Sequence, residues 1–303
     1  MVGIFVRTLI VVFGLLHCSA SSEMPSEGKF KDVSRAYLKK VKLKSIGTYK
    51  CDAEIQEVSI FSNEFILGDK IRIIFFLKNT NLITNIARIH GTFQSGHYFI
   101  TAVDILMEFG EIWLKSQWVL FNTKSNDILI KNGYFGQFRE FSFTSPDDLI
   151  IHDFNFRTTN LFVQNRDWKI QIELAKINYL FNGTIHKITA KNADYTLTID
   201  QISIKNKIAR FSKVIFKKAD ITAIAETAIT ADFNNILFEK GIRISNSKIN
   251  LYAKKAQKIG EKIKLEEIEY VALKNVQGYS KIGYFDIKNR KLVLVNGKIK
   301  SSF

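Results

Sequence analysis

From Ile46 to the C-terminus, apolar and polar residues alternate in short runs rather than recurring at helical spacing. The runs IRIIFFLKN (71–79), FREFSFTS (138–145), LIIHDFNFRT (149–158), WKIQIELA (168–175) and KLVLVNGKI (291–299) are rich in β-branched and aromatic residues. Successive side chains on a strand point to opposite faces, so a period of two marks one buried face and one solvated face. Short polar stretches separate the runs: residues 122–127, Asn-Gly at 132–133 and 182–183, Ser-Pro-Asp-Asp at 145–148, and Asn-Arg at 289–290. Asn-Gly favours the two-residue turns of tight hairpins. A weak helical period at 253–270 also reads as a strand pair around Gly260. The pattern predicts an all-β chain, an antiparallel meander of hairpins over 46–303 with no crossover helix.

Residues 21–45 read as a basic lead-in. In EGKFKDVSRAYLKKVKLKS (27–45), Phe30, Val33, Tyr37 and Val41 fall at helical spacing among lysines and Arg35. Such a segment suits a basic helix on an anionic membrane surface. Val41 and Leu43 also alternate, as the approach to a first strand does, and both readings stand on sequence alone.

Small residues recur at a fixed spacing. Ala190 and Ala193 are followed by Ile202 and Ile204, and Ser280 and Gly283 by Leu292 and Leu294. Ala253 and Ala256 precede Leu265, and Ala225 and Ala228 precede Leu237, with Glu267 and Glu239 breaking the fourth place. Ser116 and Val119, before Ile128 and Ile130, form a looser copy. A strand, a turn and a return strand account for the long gap. Two residues between the small pair, rather than one, imply a bulge or a change of face. Hairpins of about 27–35 residues that cannot each bury a face should stack on one another.

These units, among them ITAKNADYTLTIDQISIKN and SKIGYFDIKNRKLVLVNGKIKSS, resemble the repeats of the lipopolysaccharide-transport periplasmic proteins of the LptA/LptC (OstA-like) group. Tyr195, Phe285-Asp286 and Asn296-Gly297-Lys298-Ile299 stand where that repeat has its aromatic-acid step and closing strand. The resemblance covers about residues 186–303 and is vague over 46–185. It implies an antiparallel open β-jellyroll, a β-taco of stacked hairpins, here extended or doubled because the chain is longer than typical members. It also implies a groove holding acyl chains, with edge-strand pairing to other jellyroll components in a bridge between inner and outer membranes. On that reading the candidate lipid-binding residues are Ile188, Ala190, Ala193, Tyr195, Ile202, Ile204, Leu251, Ala253, Leu292 and Leu294. The partner would be lipopolysaccharide or another acyl lipid.

Composition sharpens this picture in two ways. Hydrophobic residues make up 46% of the 303, with 25 Phe, enough for a substantial core. Phe135, Phe138, Phe141, Phe143, Phe154 and Phe156 crowd the middle of the chain, to line a groove or to fill a core. The net charge of +15 suits phosphate-bearing partners or a membrane surface. Residues 1–20 read as a signal peptide, with Arg7 before the apolar TLIVVFGLL and Cys-Ser-Ala at 18–20 for cleavage, or as an uncleaved inner-membrane anchor. Export to the periplasm argues against nucleic acid as the basic chain's partner. Cleavage leaves Cys51 as the single cysteine, so no internal disulfide is expected.

Catalytic chemistry finds no footing. His17, His90, His97, His152 and His186 show no metal-ligand spacing, and no nucleophile elbow or phosphate-binding glycine loop occurs. We therefore expect no enzyme, cofactor or metal. Two classes remain, a periplasmic lipid carrier and an exported structural β-sheet protein with a packed core.

Overall fold

The computed structural model describes residues 35–301, apart from 46–49, 62–63, 69, 77–80, 95–96, 110, 123–126, 153–154, 179–181, 233–234, 261, 273–275, 287–288 and 290. The expected signal or anchor at 1–20 and Phe154 lie outside the described residues. The chain is all-β and its recorded strand pairings are antiparallel. No described helix is long and apolar enough to cross a membrane. Contacts divide the chain into two units, residues 1–165 with 176–180, and residues 166–175 with 181–303.

Unit 1 carries β1 (Arg35–Ser45), β2 (Lys50–Phe61), β3 (Glu64–Gly68), β4 (Ile71–Phe76), β5 (Asn81–Gln94), β6 (His97–Phe109), β7 (Ile112–Asn122), β8 (Asp127–Phe138), β9 (Phe141–Ser145), β10 (Leu149–His152) and β11 (Asn155–Gln164). Consecutive strands pair as hairpins, with two exceptions. β3 and β4 both pair β2 and both pair β5, so they are two halves of one line. β9 and β10 stand in the same relation to β8 and β11.

Unit 2 takes most of β12 (Lys169–Asn178), then β13 (Gly183–Lys191), β14 (Tyr195–Lys205), β15 (Ile208–Lys218) and β16 (Ile221–Thr230). β17 (Asn235–Phe238) and β18 (Ile242–Ser245) form another broken line between β16 and β19 (Ile249–Ile259). β20 (Lys262–Ala272) and β21 (Val276–Asp286) follow, and β22 (Lys291–Val295) and β23 (Lys298–Ser301) share the last line on β21.

The breaks mark a corner that runs across every strand of unit 2. Inward residues lie three apart there, with two outward residues between them. Ala225 and Ala228 are buried around Glu226 and Thr227, Ala253 and Ala256 around Lys254 and Lys255, and Ser280 and Gly283 around Lys281 and Ile282. In these three copies the recurrent pair of small residues read from the sequence is this corner. One sheet cannot bury a face alone, and no described helix covers it. Folding each strand at mid-length brings the inward residues of both halves into one core.

Alternate strands reach the corner through a left-handed residue: Lys187 in β13, Lys213 in β15, Gly241 between β17 and β18, Glu267 in β20 and Asn296 after β22. The same device recurs in unit 1 at Lys40, Lys70, Asp104, Asn132 and Asn160. The left-handed region is costly for residues with a Cβ, and Asn and Asp bear it best.

Four expectations need correction. Residues 35–45 are a strand paired with β2 from Arg35↔Phe61 to Ser45↔Cys51, in line with the strand-approach reading and not the helical one, and the sheet therefore begins before residue 46. A long facing strand outweighs a short helical period, because local propensity is the weaker force. Asn132-Gly133 is no hairpin turn. Both residues have positive φ inside β8, where the pairing with β7 shifts register between Ser116 and Trp118. Pro146 to Asp148 likewise bridge the two halves of a broken line rather than turn a hairpin. The run 149–158 is itself a hairpin, β10 to β11.

On the outer side of the corner in unit 2 lies a charged column with one member on nearly every strand: Glu173, Lys187, Asp200, Lys213, Glu226, then Lys254, Glu267 and Lys281. Neighbours alternate in sign. Lys187 lies 2.9 Å from Glu173, Lys213 lies 3.8 Å from Asp200, and Lys254 lies 3.1 Å from Glu267. The hydrogen bond to Glu173, with that carboxylate's field and a smaller one from Asp200, raises the Lys187 ammonium above the usual lysine range. These pairs are exposed, so their effect is mainly to favour one register over a slipped one. Lys187→Glu would set three acidic groups in a row. We expect a lower urea midpoint at low salt, with the deficit shrinking in 1 M NaCl as about 3 Å of screening length removes the repulsion.

Candidate functional site

The inner face of unit 2 gathers nine of the ten residues nominated from sequence. Ile188 and Ala190 are buried on β13, and Leu251 and Ala253 on β19. Ile202 and Ile204 on β14, and Leu292 and Leu294 on β22, are half-buried and pack against the same core. Tyr195 opens β14, two residues before inward-facing Leu197. Ala193 is the exception: it lies exposed in the turn between β13 and β14, where Asn192 accepts the backbone N–H groups of Asp194 and Tyr195. The inward pair three apart on β13 is Ile185 and Ile188, five residues before Ala190 and Ala193.

Cross-strand register arranges the corner residues in two rows. One runs Ile202, Phe211, Ala228, Phe238, Ala256, Leu265, Gly283, Leu294. The other runs Ile199, Val214, Ala225, Ile242, Ala253, Ile268, Ser280. From β15 onward, large and small alternate strictly. A bend crowds its inner side, and a small residue beside each large one lets the large one lie across it. A Cβ on Gly283 would sit 2.7 Å from Ile268 Cδ1 and 2.9 Å from Leu294 Cδ2. The space beside the small residue is therefore occupied by its neighbours. Ser280, fully buried, donates within reach of the carbonyls of Ile282 at 2.8 Å and Val295 at 2.7 Å, so its hydroxyl is satisfied.

Away from the corner the inner face is less closed. Ile170, Leu197, Ile204 and Leu292 remain only partly buried, as do Ile202 and Leu294 at the two ends of the first corner row. At the turn end of β14 the face finishes in an aromatic and cationic rim. Trp168, just before β12, stacks on Tyr195 with ring centroids 6.5 Å apart, and Phe216 on the paired strand β15 lies 5.4 Å from Tyr195. Lys218 holds its ammonium 4.4 Å from the Tyr195 ring centroid and donates to the phenol oxygen at 2.7 Å. The family resemblance nominates Tyr195 as a groove residue; Trp168 reads from sequence as a core tryptophan, and Lys218 carries no nomination. Their signal was present: Trp168 stands in register with Ile170 and Ile172, and Lys218 with Phe216.

The mid-chain phenylalanines of unit 1 do not share one surface. Phe156 is buried, Phe138, Phe141 and Phe143 are half-buried, and Phe135 is 46% exposed with its ring edge-on to Trp113. Among the described residues no three His, Cys, Asp or Glu side chains are grouped to hold a metal ion. No protein-family model matches the chain, and no curated protein matches it.

Proposed function

We propose that the protein is a periplasmic carrier of acyl-chain lipid, working as one section of an inner-to-outer-membrane bridge for lipopolysaccharide. The observation that carries this reading is the set of half-buried apolar side chains on the inner face, Ile202, Ile204, Leu292 and Leu294 among them. A packed core of this size has little reason to leave inward isoleucines and leucines partly open, whereas an acyl chain laid on them would bury them. The Trp168, Tyr195 and Lys218 rim adds an amphipathic end where a phosphorylated headgroup could meet a cation. Among the described pairings β22 is bonded on one side only. Its free edge is where another jellyroll component would add a strand.

One observation favours the alternative, an exported structural β-sheet protein with no lipid ligand. The corner rows are filled by their own side chains, as the crowding at Gly283 shows. The two readings separate by photocrosslinking in cells that make lipopolysaccharide. Photoreactive residues at Ile202 and Leu292 are expected to capture lipid, and one at exposed Ala193 is expected to capture none. A folded protein with no lipid adduct at Ile202 or Leu292 leaves the structural reading.

A further inference from the structure

The outer face of unit 2 carries a second surface that the interior reading does not use. Register places Arg243, Tyr252, Glu269, Tyr279 and Lys298 side by side on adjacent lines of the sheet. Adjacent strands lie about 4.8 Å apart, so Tyr252 and Tyr279 stand roughly 10 Å apart with Glu269 between them. Both rings are open to solvent, at 37% and 41% exposure. The next row outward holds Asn250, Val271 and Gln277. A pocket of about 580 Å³ is lined by Arg243, Asn250, Tyr252, Glu269, Val271 and Gln277 together with neighbouring residues.

Its polar groups are unspent. Arg243 faces the Tyr252 ring, its guanidinium carbon 5.8 Å from the centroid. Among the described residues, Arg243, Asn250, Glu269 and Gln277 make no side-chain hydrogen bond and no ion pair. On the same face Glu267 and Glu266 pair with Lys254 and Lys264. A carboxylate, a guanidinium and two amides thus line the pocket with the open Tyr252 ring, their hydrogen-bonding capacity still available, and Tyr279 flanks it as the next residue along the row beyond Glu269.

We propose that this pocket binds an oligosaccharide. The apolar C–H face of a pyranose stacks on an aromatic ring, and its hydroxyls pair with planar carboxylate, amide and guanidinium groups. A pyranose advances a glycan by close to one strand spacing, so Tyr252 and Tyr279 meet alternate sugars and Glu269 meets the hydroxyls between them. The central carboxylate disfavours a polyanion such as nucleic acid. The charges at Arg243, Glu269 and Lys298 disfavour a purely apolar partner. The site faces away from the core and does not depend on the lipid reading.

Saturation-transfer NMR tests it on the full folded chain, with chitohexaose, cellohexaose and isomaltohexaose as probes. At least one hexasaccharide should receive saturation at its ring C–H protons. Tyr252→Ala with Tyr279→Ala should weaken binding more than tenfold while leaving the far-ultraviolet circular dichroism unchanged. Val271→Arg, a solvent-facing change that fills the pocket, supplies a variant that keeps both rings and should also block binding. No transfer to any of the three sugars at millimolar concentration overturns the proposal. So does transfer that persists undiminished in folded Val271→Arg.

Discussion

Leu265→Ala should destabilise the protein by about 3–5 kcal/mol, read as a shift in the urea midpoint at unchanged slope. Leu265 is fully buried on β20. Its cross-strand neighbours in the corner row are Ala256 and Gly283. Neither has atoms that can move into the vacated volume, so the cavity cannot collapse and the cost belongs at the upper end for a leucine. The alternating rows make a sharper prediction still. Adding Ala256→Leu to Leu265→Ala returns the lost volume one strand away. The pair should recover about 1–2 kcal/mol relative to the sum of the single changes. Strict additivity would show that the two positions do not share the space that their register implies.

Gly241→Val should cost at least about 2 kcal/mol and loosen the β17–β18 line first. Gly241 has φ +79, and a Cβ there would run into the Ala253 carbonyl oxygen and lie 3.1 Å from that of Lys254. Both obstacles are backbone atoms of β19, which cannot rotate aside as a side chain can. Hydrogen exchange should locate the damage, with protection lost at Ile242 to Ser245 before β20 and β21 respond. Uniform loss across unit 2 would mean that the corner is not a local hinge of stability. Gly260, also at positive φ but with open space around its Cβ position, is the control: Gly260→Asn should change little.

The two units share one folding device, and unit 2 shows why it tolerates so many residues with unfavourable φ. Left-handed Lys187, Lys213 and Glu267 each occupy the outward side of the corner. There they carry a charge that pairs with the adjacent strand. Glycine would relieve the backbone but remove the charge, and the register signal with it. The inner side of the same corner has the opposite need, small volume without charge, which Ala225, Ala228, Ala253, Ala256, Ser280 and Gly283 meet.

The amino-acid sequence by itself determined the all-β class, which follows from the period-two pattern, a local property of the chain; at 253–270 it left a weak helical period beside the strand pair around Gly260. It also marked the corner, since small residues three apart at 253, 256, 280 and 283 carry the change of face in their own spacing. Only the tertiary structure decided which pairs were corners and which were chance. Ala190 and Ala193 have the same spacing, yet one lies in the core and the other in a turn, because the pairing of Ile188 with Ile199 sets where β13 ends. Register of this kind depends on residues far along the chain. Asn132-Gly133 became a bulge rather than a hairpin for the same reason: β7 and the β9–β10 line hold β8 from both sides and leave it no room to turn. The Trp168, Tyr195 and Lys218 rim comes from the residue just before β12 and from β14 and β15, and no local pattern could bring those three residues together.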